Sequence, residues 1–155
     1  TRSLAQRLDQ VSQERVKEAE AGDTLKPGQA LLAPGGYHLQ VTPQGTVALD
    51  QGPPVHGVRP SVDVTMASVA RVYGRRALGV VLTGMGVDGT AGAGQIKAAG
   101  GGVVAEDEST CTIYGMPRSV VAAGHADAVL PLHQIAQHLA RLCAAPAGVL
   151  RGRTL

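Results

Sequence analysis

One carboxylate, Asp88, stands where the sequence pattern of an α/β protein places chemistry. Residues 77–83 form an apolar run that predicts a buried strand, the following loop 84–89 contains three glycines, and a helix is predicted near 91–99. In open α/β sheets, ligands bind where the strands end and the loops begin. We therefore expect Asp88 to lie at a functional site.

Spacing alone leaves two other interpretations of Asp88 open. A carboxylate at a helix start can satisfy free amides, so Asp88 could cap the helix that follows it. The run Gly84-Met-Gly86-Val-Asp88-Gly89 also matches G-x-G-x-x-G, the dinucleotide-binding fingerprint, with acidic residues 106–108 after the next strand. A carboxylate inside that turn would repel a pyrophosphate, and the motif follows half of the chain, so the dinucleotide alternative is disfavoured.

Composition places the chain among ordinary globular proteins and argues against several partners. The 155 residues, 44% hydrophobic and 17% charged, fit one domain, and no segment approaches the roughly 20 apolar residues of a membrane span. A net charge of +2 and only three tyrosines provide neither a phosphate-binding stripe nor a stacking platform for nucleic acid. We expect a soluble cytoplasmic protein with no nucleic-acid partner and no membrane insertion.

Cysteine and histidine spacing predicts neither a metal site nor a disulfide. Cys111 and Cys143 lack CxxC or Cys/His spacing, which favours two buried free thiols in a reducing compartment. His38 and His56 fall in predicted loops, where histidines are usually solvated. We expect no metal and no cofactor. The other three histidines are expected at the surface or at helix ends: His125, His133 and His138.

The elements that must position Asp88 form a β/α succession. The first dozen residues predict an amphipathic helix, residues 30–33 a buried strand, and alternation around Pro43-Gln-Gly45 a β-hairpin. Ser61 is the expected N-cap of a helix that ends at Gly74. Strands and helices then alternate: strand 77–83, helix 91–99, strand 102–105, helix 118–123, strand 128–130 and helix 134–142.

The fold class that follows is α/β, with a doubly wound, mainly parallel sheet and a β-hairpin insert. The strands are Val/Leu runs without alternation, as expected when helices cover both faces of a sheet. We expect residues 1–145 to form one domain and 146–155 a flexible tail.

Five short phrases resemble, in order and spacing, the catalytic domain of the chemotaxis receptor methylesterase, the CheB family. The resemblance runs from near residue 1 to about Leu142 and implies a domain of that fold whose first strands are missing from this chain. The phrases are Ala33-Pro-Gly-Gly-Tyr-His38, Arg59-Pro-Ser-Val-Asp63, Leu82-Thr-Gly-Met-Gly-Val-Asp-Gly89, Ala105-Glu-Asp-Glu108 and Tyr114-Gly-Met-Pro117.

The resemblance implies a reaction and a set of site residues. That family hydrolyses glutamate methyl esters on chemoreceptors and deamidates some receptor glutamines with a Ser-His-Asp triad. By resemblance, Asp88 is the triad aspartate, while Gly84, Met85 and Gly86 shape the pocket and aim backbone amide at the oxyanion. The implied partners are the cytoplasmic helices of methylated receptors and a receiver domain.

The family's serine loop and histidine lie upstream of the segment that begins this chain, so the resemblance implies that these 155 residues alone are inactive. None of the candidate serines, Ser61, Ser68 and Ser109, stands in a nucleophile elbow. Thr1 could use its own amine as a base, but it leads into an ordinary amphipathic helix. The alternative function is a CheB-like binding module without catalysis.

Overall fold

A computed structural model describes residues 1–144, which form helices packed on three small β-sheets. The expected tail, 146–155, lies outside the described residues. Within 1–144, no helix is long and apolar enough to cross a membrane. The elements, in chain order, are α1 Arg2–Val11, β1 Arg15–Glu18, β2 Gln29–Leu32, β3 His38–Val41, β4 Val47–Asp50, α2 Val62–Tyr73, the 3-10 turn Gly74–Arg76, β5 Leu78–Val81, α3 Thr90–Ala98, β6 Gly102–Glu106, α4 Met116–Ala122, β7 Ala128–Leu130 and α5 Leu132–Ala144.

The three strands of the second half form a parallel sheet in the order β5-β6-β7. Helices α3 and α4 connect these strands, which confirms the β/α succession and the α/β class. Strand β6 is an apolar run because its side chains are buried in the protein interior. Val103, Val104 and Ala105 are each at most 1% exposed. The carboxyl ends of β5 and β6 lie side by side, since Val81 pairs with Ala105.

Helix α2 is the element that joins the two halves of the chain. It begins after Ser61, whose backbone is extended, and ends at Gly74, which has a positive φ of 53°. Helix α2 packs against α3 and β3, and its apolar face contributes to the main core; the predicted boundaries of this helix are confirmed. The buried members of that core are Met66, Ala70, Ala77, Val81, Ala93, Ile96, Val103 and Val120.

The first third of the chain holds the hairpin and the parts of the fold that differ from expectation. Strands β3 and β4 form the predicted antiparallel hairpin, with Val41 opposite Val47. The prediction that strand β2 is buried is wrong, because the strand is half-buried with Ala30 exposed. Its parallel partner β1 has no counterpart among the predicted elements, because the sequence Arg15-Val-Lys-Glu18 contains a single apolar residue.

Candidate functional site

Asp88 lies in the loop between β5 and α3 and is 7% exposed. Its Oδ1 accepts hydrogen bonds from Ser61 Oγ at 2.7 Å and from the Asp63 amide at 3.0 Å. Its Oδ2 accepts one from the Val62 amide at 2.7 Å. Asp88 therefore satisfies the start of α2, which precedes it in the chain, whereas the N-cap of α3 is Gly89. The interpretation of Asp88 as a cap of the following helix is wrong.

The surroundings of Asp88 stabilise its carboxylate and leave it able to accept one further hydrogen bond. Three donors and the positive end of the α2 dipole compensate the negative charge of the ionised side chain. A carboxylate offers about four acceptor positions, and Oδ2 uses only one of its two with the described residues. The remaining position can accept an N–H donor, which is what orienting an imidazole requires.

His38 lies directly behind Ser61. It begins β3, is 2% exposed, accepts a hydrogen bond from the Ser61 amide at Nδ1 (3.2 Å) and has Pro53 O 3.0 Å from Nε2. The expectation of a solvated loop histidine is therefore wrong for His38. The alternation of apolar residues in the hairpin could have indicated that His38 is not in a loop. Extending the predicted strand by one residue towards the N-terminus places position 38 inside it.

An imidazole–carboxylate pair lies at the same end of α2. His56 Nε2 lies 3.0 Å from Asp63 Oδ2, and Asp63 Oδ1 accepts a hydrogen bond from the Gly92 amide at 2.7 Å. The His56 side chain is 44% exposed. Asp63 thus ties the loop before α2 and the first turn of α3 to the helix start that holds Asp88.

The glycine loop before Asp88 is held by the segment that leads into α4. Gly84 O accepts hydrogen bonds from the Gly115 and Met116 amides, and the Gly84 amide donates to Ile113 O at 3.0 Å. A Cβ on Gly115 would meet Gly84 O at 2.6 Å and the Gly86 amide nitrogen at 3.0 Å, so only glycine allows this approach. Gly86 itself has a φ of +93°, a conformation that side chains disfavour.

A cleft of about 600 Å³ opens beside this loop. Met85, which is 83% exposed, and Gly86 line it together with Tyr114, Arg118 and Ser119. Gly84 lies behind the cleft, and its amide is already bonded to Ile113. Among the described residues, the amides of Met85 and Gly86 donate to no acceptor. Both amides are therefore free to donate to a further acceptor at the cleft.

Glu106 is a buried carboxylate that the sequence pattern singles out only within the acidic cluster 106–108 of the disfavoured dinucleotide-binding alternative. It ends β6 with 0% exposure, and its Oε2 accepts a hydrogen bond from the Thr83 amide at 2.8 Å. Its Oε1 accepts a hydrogen bond from Thr110 Oγ1 at 2.9 Å. The Thr110 hydroxyl in turn accepts a hydrogen bond from the Leu132 amide at the start of α5. Glu106 thus fixes Thr83, which lies between the end of β5 and Gly84. The position of Glu106 in the sequence could have indicated this role, because Glu106 is the last residue of β6, the strand that pairs with β5.

The described residues contain no serine hydroxyl bonded to a histidine. Ser61 donates its hydroxyl proton to Asp88, Ser68 donates to Thr65 O inside α2, and Ser109 donates to Asp107. The Thr1 hydroxyl donates to Glu18. Residues 1–144 therefore carry a buried acid and a cleft without a nucleophile–base pair.

The two thiols differ from expectation, and no metal cluster accompanies them in the part of the chain that the structure describes. Cys111 is half-buried and Cys143 is exposed, so the prediction of two buried thiols is wrong. Burial, with the negative charge of Glu106 adding to it, raises the pKa of the Cys111 thiol above its usual value. Over residues 1–144, no three His, Cys, Asp or Glu side chains are grouped to hold a metal ion.

Comparisons with known proteins converge on one family. The family model described as CheB methylesterase matches residues 1–139. A protein of Symbiobacterium thermophilum named protein-glutamate methylesterase/protein-glutamine glutaminase is 60% identical over 141 residues, which cover 91% of this chain and 39% of that protein. The equally named protein of Pyrococcus abyssi is 48% identical over 144 residues, covering 91% and 39%. The chain thus spans about two fifths of the length of these curated relatives.

A solved structure extends the similarity to three dimensions. The crystal structure of the Thermotoga maritima CheB methylesterase catalytic domain superimposes with a TM-score of 0.89 at 48% identity. The match covers 92% of this chain and 77% of that domain. The arrangement of helices and sheets in this chain is therefore the arrangement of a larger, solved domain.

Proposed function

This chain belongs to the CheB methylesterase family, and from that premise we propose that it supplies the triad aspartate and the substrate cleft of a protein-glutamate methylesterase. The observation that carries the proposal is the geometry of Asp88. A buried carboxylate is held by three donors beside an open cleft and keeps one acceptor position unused by the described residues. A structural cap alone would not need that cleft.

The proposed reaction is acyl transfer to water. A serine hydroxyl from the family segment upstream of this one attacks the ester carbonyl of a methylated glutamate while a histidine takes its proton. The carbon–oxygen bond breaks, methanol leaves with that proton, and a water molecule then hydrolyses the acyl-enzyme to glutamate. A glutamine side chain follows the same course with ammonia as the leaving group.

The residues of this chain have separate tasks in that sequence. Asp88 accepts a hydrogen bond from the histidine at Oδ2, keeps the ring in the productive tautomer and stabilises the imidazolium that forms. The amides of Met85 and Gly86 donate to the oxyanion of the tetrahedral intermediate. Gly84 holds their loop against the segment before α4 through its carbonyl oxygen.

The proposed substrate is the methylated cytoplasmic helices of chemoreceptors, with the enzyme acting in the cytoplasm. The cleft supports this, because exposed Met85 offers apolar surface for an ester methyl and Arg118 offers a positive charge at the same opening. We propose a receiver domain as the regulatory partner, by membership of the family.

The test uses what we call the extended chain: these 155 residues preceded by the family segment that carries the serine and histidine, taken from the Thermotoga maritima domain. Asp88→Asn in the extended chain should lower the rate of methanol release from methylated receptor on the order of 10⁴-fold, by analogy with other serine triads. Asp107→Asn is the matched control, because the Asp107 side chain bonds only within its own turn, and it should leave the rate within about twofold.

Thermal unfolding of both variants separates loss of function from loss of fold. A folded Asp88→Asn variant that releases methanol at the normal rate would remove Asp88 from the triad. An inactive extended chain with a normal unfolding transition would favour the binding-module alternative.

A further inference from the structure

We infer that Ser61 and His38 are positioning residues, which fix the orientation of Asp88 through consecutive hydrogen bonds. The inference rests on the proposed function for its effect on turnover. Both residues are buried, at 1% and 2% exposure, and neither lines the cleft. They therefore act on the reaction through Asp88 and not through the substrate.

The direction of the hydrogen bond from Ser61 to Asp88 is fixed. A carboxylate only accepts, so the single hydroxyl proton of Ser61 points to Asp88 Oδ1 at 2.7 Å. The Asp63 amide also donates to Oδ1, which fills that oxygen, while Oδ2 receives only the Val62 amide. The rotation of the carboxylate about its own axis is thereby set, and the unfilled position stays on Oδ2.

His38 holds the backbone from which these donors come. The Ser61 amide donates to Nδ1 at 3.2 Å, so Nδ1 carries a lone pair and the ring proton is on Nε2, which donates to Pro53 O at 3.0 Å. Only the neutral ring with this tautomer satisfies both contacts. Because Ser61 precedes α2 directly, anchoring its amide on β3 aligns all three donors to Asp88 at once.

Ser68 provides a matched control in the same helix. It is 0% exposed, donates its hydroxyl to Thr65 O and accepts the Val41 amide at 2.9 Å. Its hydroxyl therefore links α2 to the same hairpin strand as His38 does, yet it has no bond to Asp88. Removing it tests the structural contribution of a buried serine without touching the carboxylate.

The experiment measures kcat, KM and thermal unfolding in the extended chain. Ser61→Ala should lower kcat by about 10- to 100-fold with KM changed less than about twofold, because misplacing a catalytic group slows the chemical step. Ser61→Thr, which keeps a hydroxyl, should recover most of the loss. Ser68→Ala should lower the unfolding temperature and leave kcat within about twofold.

A second pair of variants tests the histidine. His38→Asn keeps an acceptor near the Nδ1 position, whereas His38→Leu does not, so the asparagine variant should retain several-fold more kcat than the leucine variant. Nitrogen NMR of the unmodified extended chain should show His38 neutral and protonated at Nε2. A proton on Nδ1 would overturn the arrangement even if every variant failed to fold.

The outcomes separate this inference from the proposed function. If Asp88→Asn is inactive while Ser61→Ala and His38→Leu keep normal kcat, Asp88 stays in the triad and its positioning by these residues is refuted. If Asp88→Asn is fully active, the proposed function itself fails. Equal losses of kcat in Ser61→Ala and Ser68→Ala would also contradict the inference, because only one of these hydroxyls reaches Asp88.

Discussion

Two aspartates meet at the start of α2: Asp63 lies in the first turn of that helix, and Asp88 accepts hydrogen bonds from it. Both are buried, and each accepts backbone amides. Asp63 uses one oxygen for the Gly92 amide and the other for His56, which joins three segments of the fold. Asp88 adjoins the glycine loop that lines the cleft and retains acceptor capacity. The carboxylate proposed for catalysis is thus the one that adjoins the cleft-lining loop, whereas Asp63 links segments of the fold.

The location of Asp88 could be predicted from the sequence, whereas its hydrogen-bond partners could not. The apolar run and the glycine loop indicate the end of a strand, which places residue 88 at the edge where sites form. Its donors lie 25 to 27 residues earlier, and no local periodicity connects the two segments. The burial of His38 has the same kind of cause, since it comes from α2 packing over the hairpin.

The two thiols should differ in reactivity. Burial and the neighbouring carboxylates raise the pKa of Cys111, so less of it is thiolate at pH 8, whereas Cys143 is exposed. We expect iodoacetamide to alkylate Cys143 first in the extended chain, as followed by peptide mass spectrometry. Cys143→Ser should then leave a protein that reacts slowly. Faster alkylation of Cys111 than of Cys143 would contradict the burial of Cys111.

At the scale of elements, α2 and the ends of β5 and β6 form the frame that carries the site. Helix α2 reaches the hairpin through Thr65 and Ser68 and reaches α3 through Asp63. Glu106 fixes Thr83, just after β5, and, through Thr110, the start of α5. The glycine loop is thus held at both ends by hydrogen bonds between buried side chains and their partners: Asp88 with the start of α2, and Glu106 with Thr83.

The elements of the second half were predictable because each strand there is an apolar run between turn signals. Strand β7, Ala128–Leu130, agrees with its predicted bounds, and helix α3 differs by one residue at each end. Strand β1 has no such signal, because three of its four residues are charged. Its existence depends on parallel pairing with β2, which only the folded chain shows.

Removing the Glu106 carboxylate should destabilise the frame. Glu106→Ala leaves the Thr83 amide without its acceptor in a buried place, so we expect the free energy of unfolding to fall by about 2–4 kcal/mol. Glu106→Gln keeps an oxygen for that amide and should cost less than half as much. Urea unfolding of the extended chain measures both. Equal stability of the alanine variant and the parent would show that Glu106 is not an anchor.

At the scale of the whole molecule, the chain matches part of a larger solved domain. Residues 1–144 hold three separate sheets, and β5 is an edge strand of its own sheet among the described residues. The matched Thermotoga maritima domain is longer than this chain, which covers 77% of it. A free parallel edge beside the candidate site is where a further strand can pair.

The family itself could be predicted from five short sequence phrases, because the residues that hold the site lie within them. Each phrase contains at least one residue whose hydrogen bonds fix the site or its loop. Examples, one from each phrase, are His38, Ser61, Asp88, Glu106 and Gly115. The contacts between the phrases depend on the fold, since the paired residues are 23 to 31 positions apart in the chain.

We propose that this segment contributes the acid and the cleft to a methylesterase whose serine and histidine come from the upstream family segment. The most direct measurement is methanol release from methylated receptor by the 155-residue chain and by the extended chain at equal concentration. We predict no release above the buffer rate from the 155-residue chain and enzymatic turnover from the extended chain. Full hydrolysis by the 155 residues alone would contradict the account and place a nucleophile and a base within this sequence.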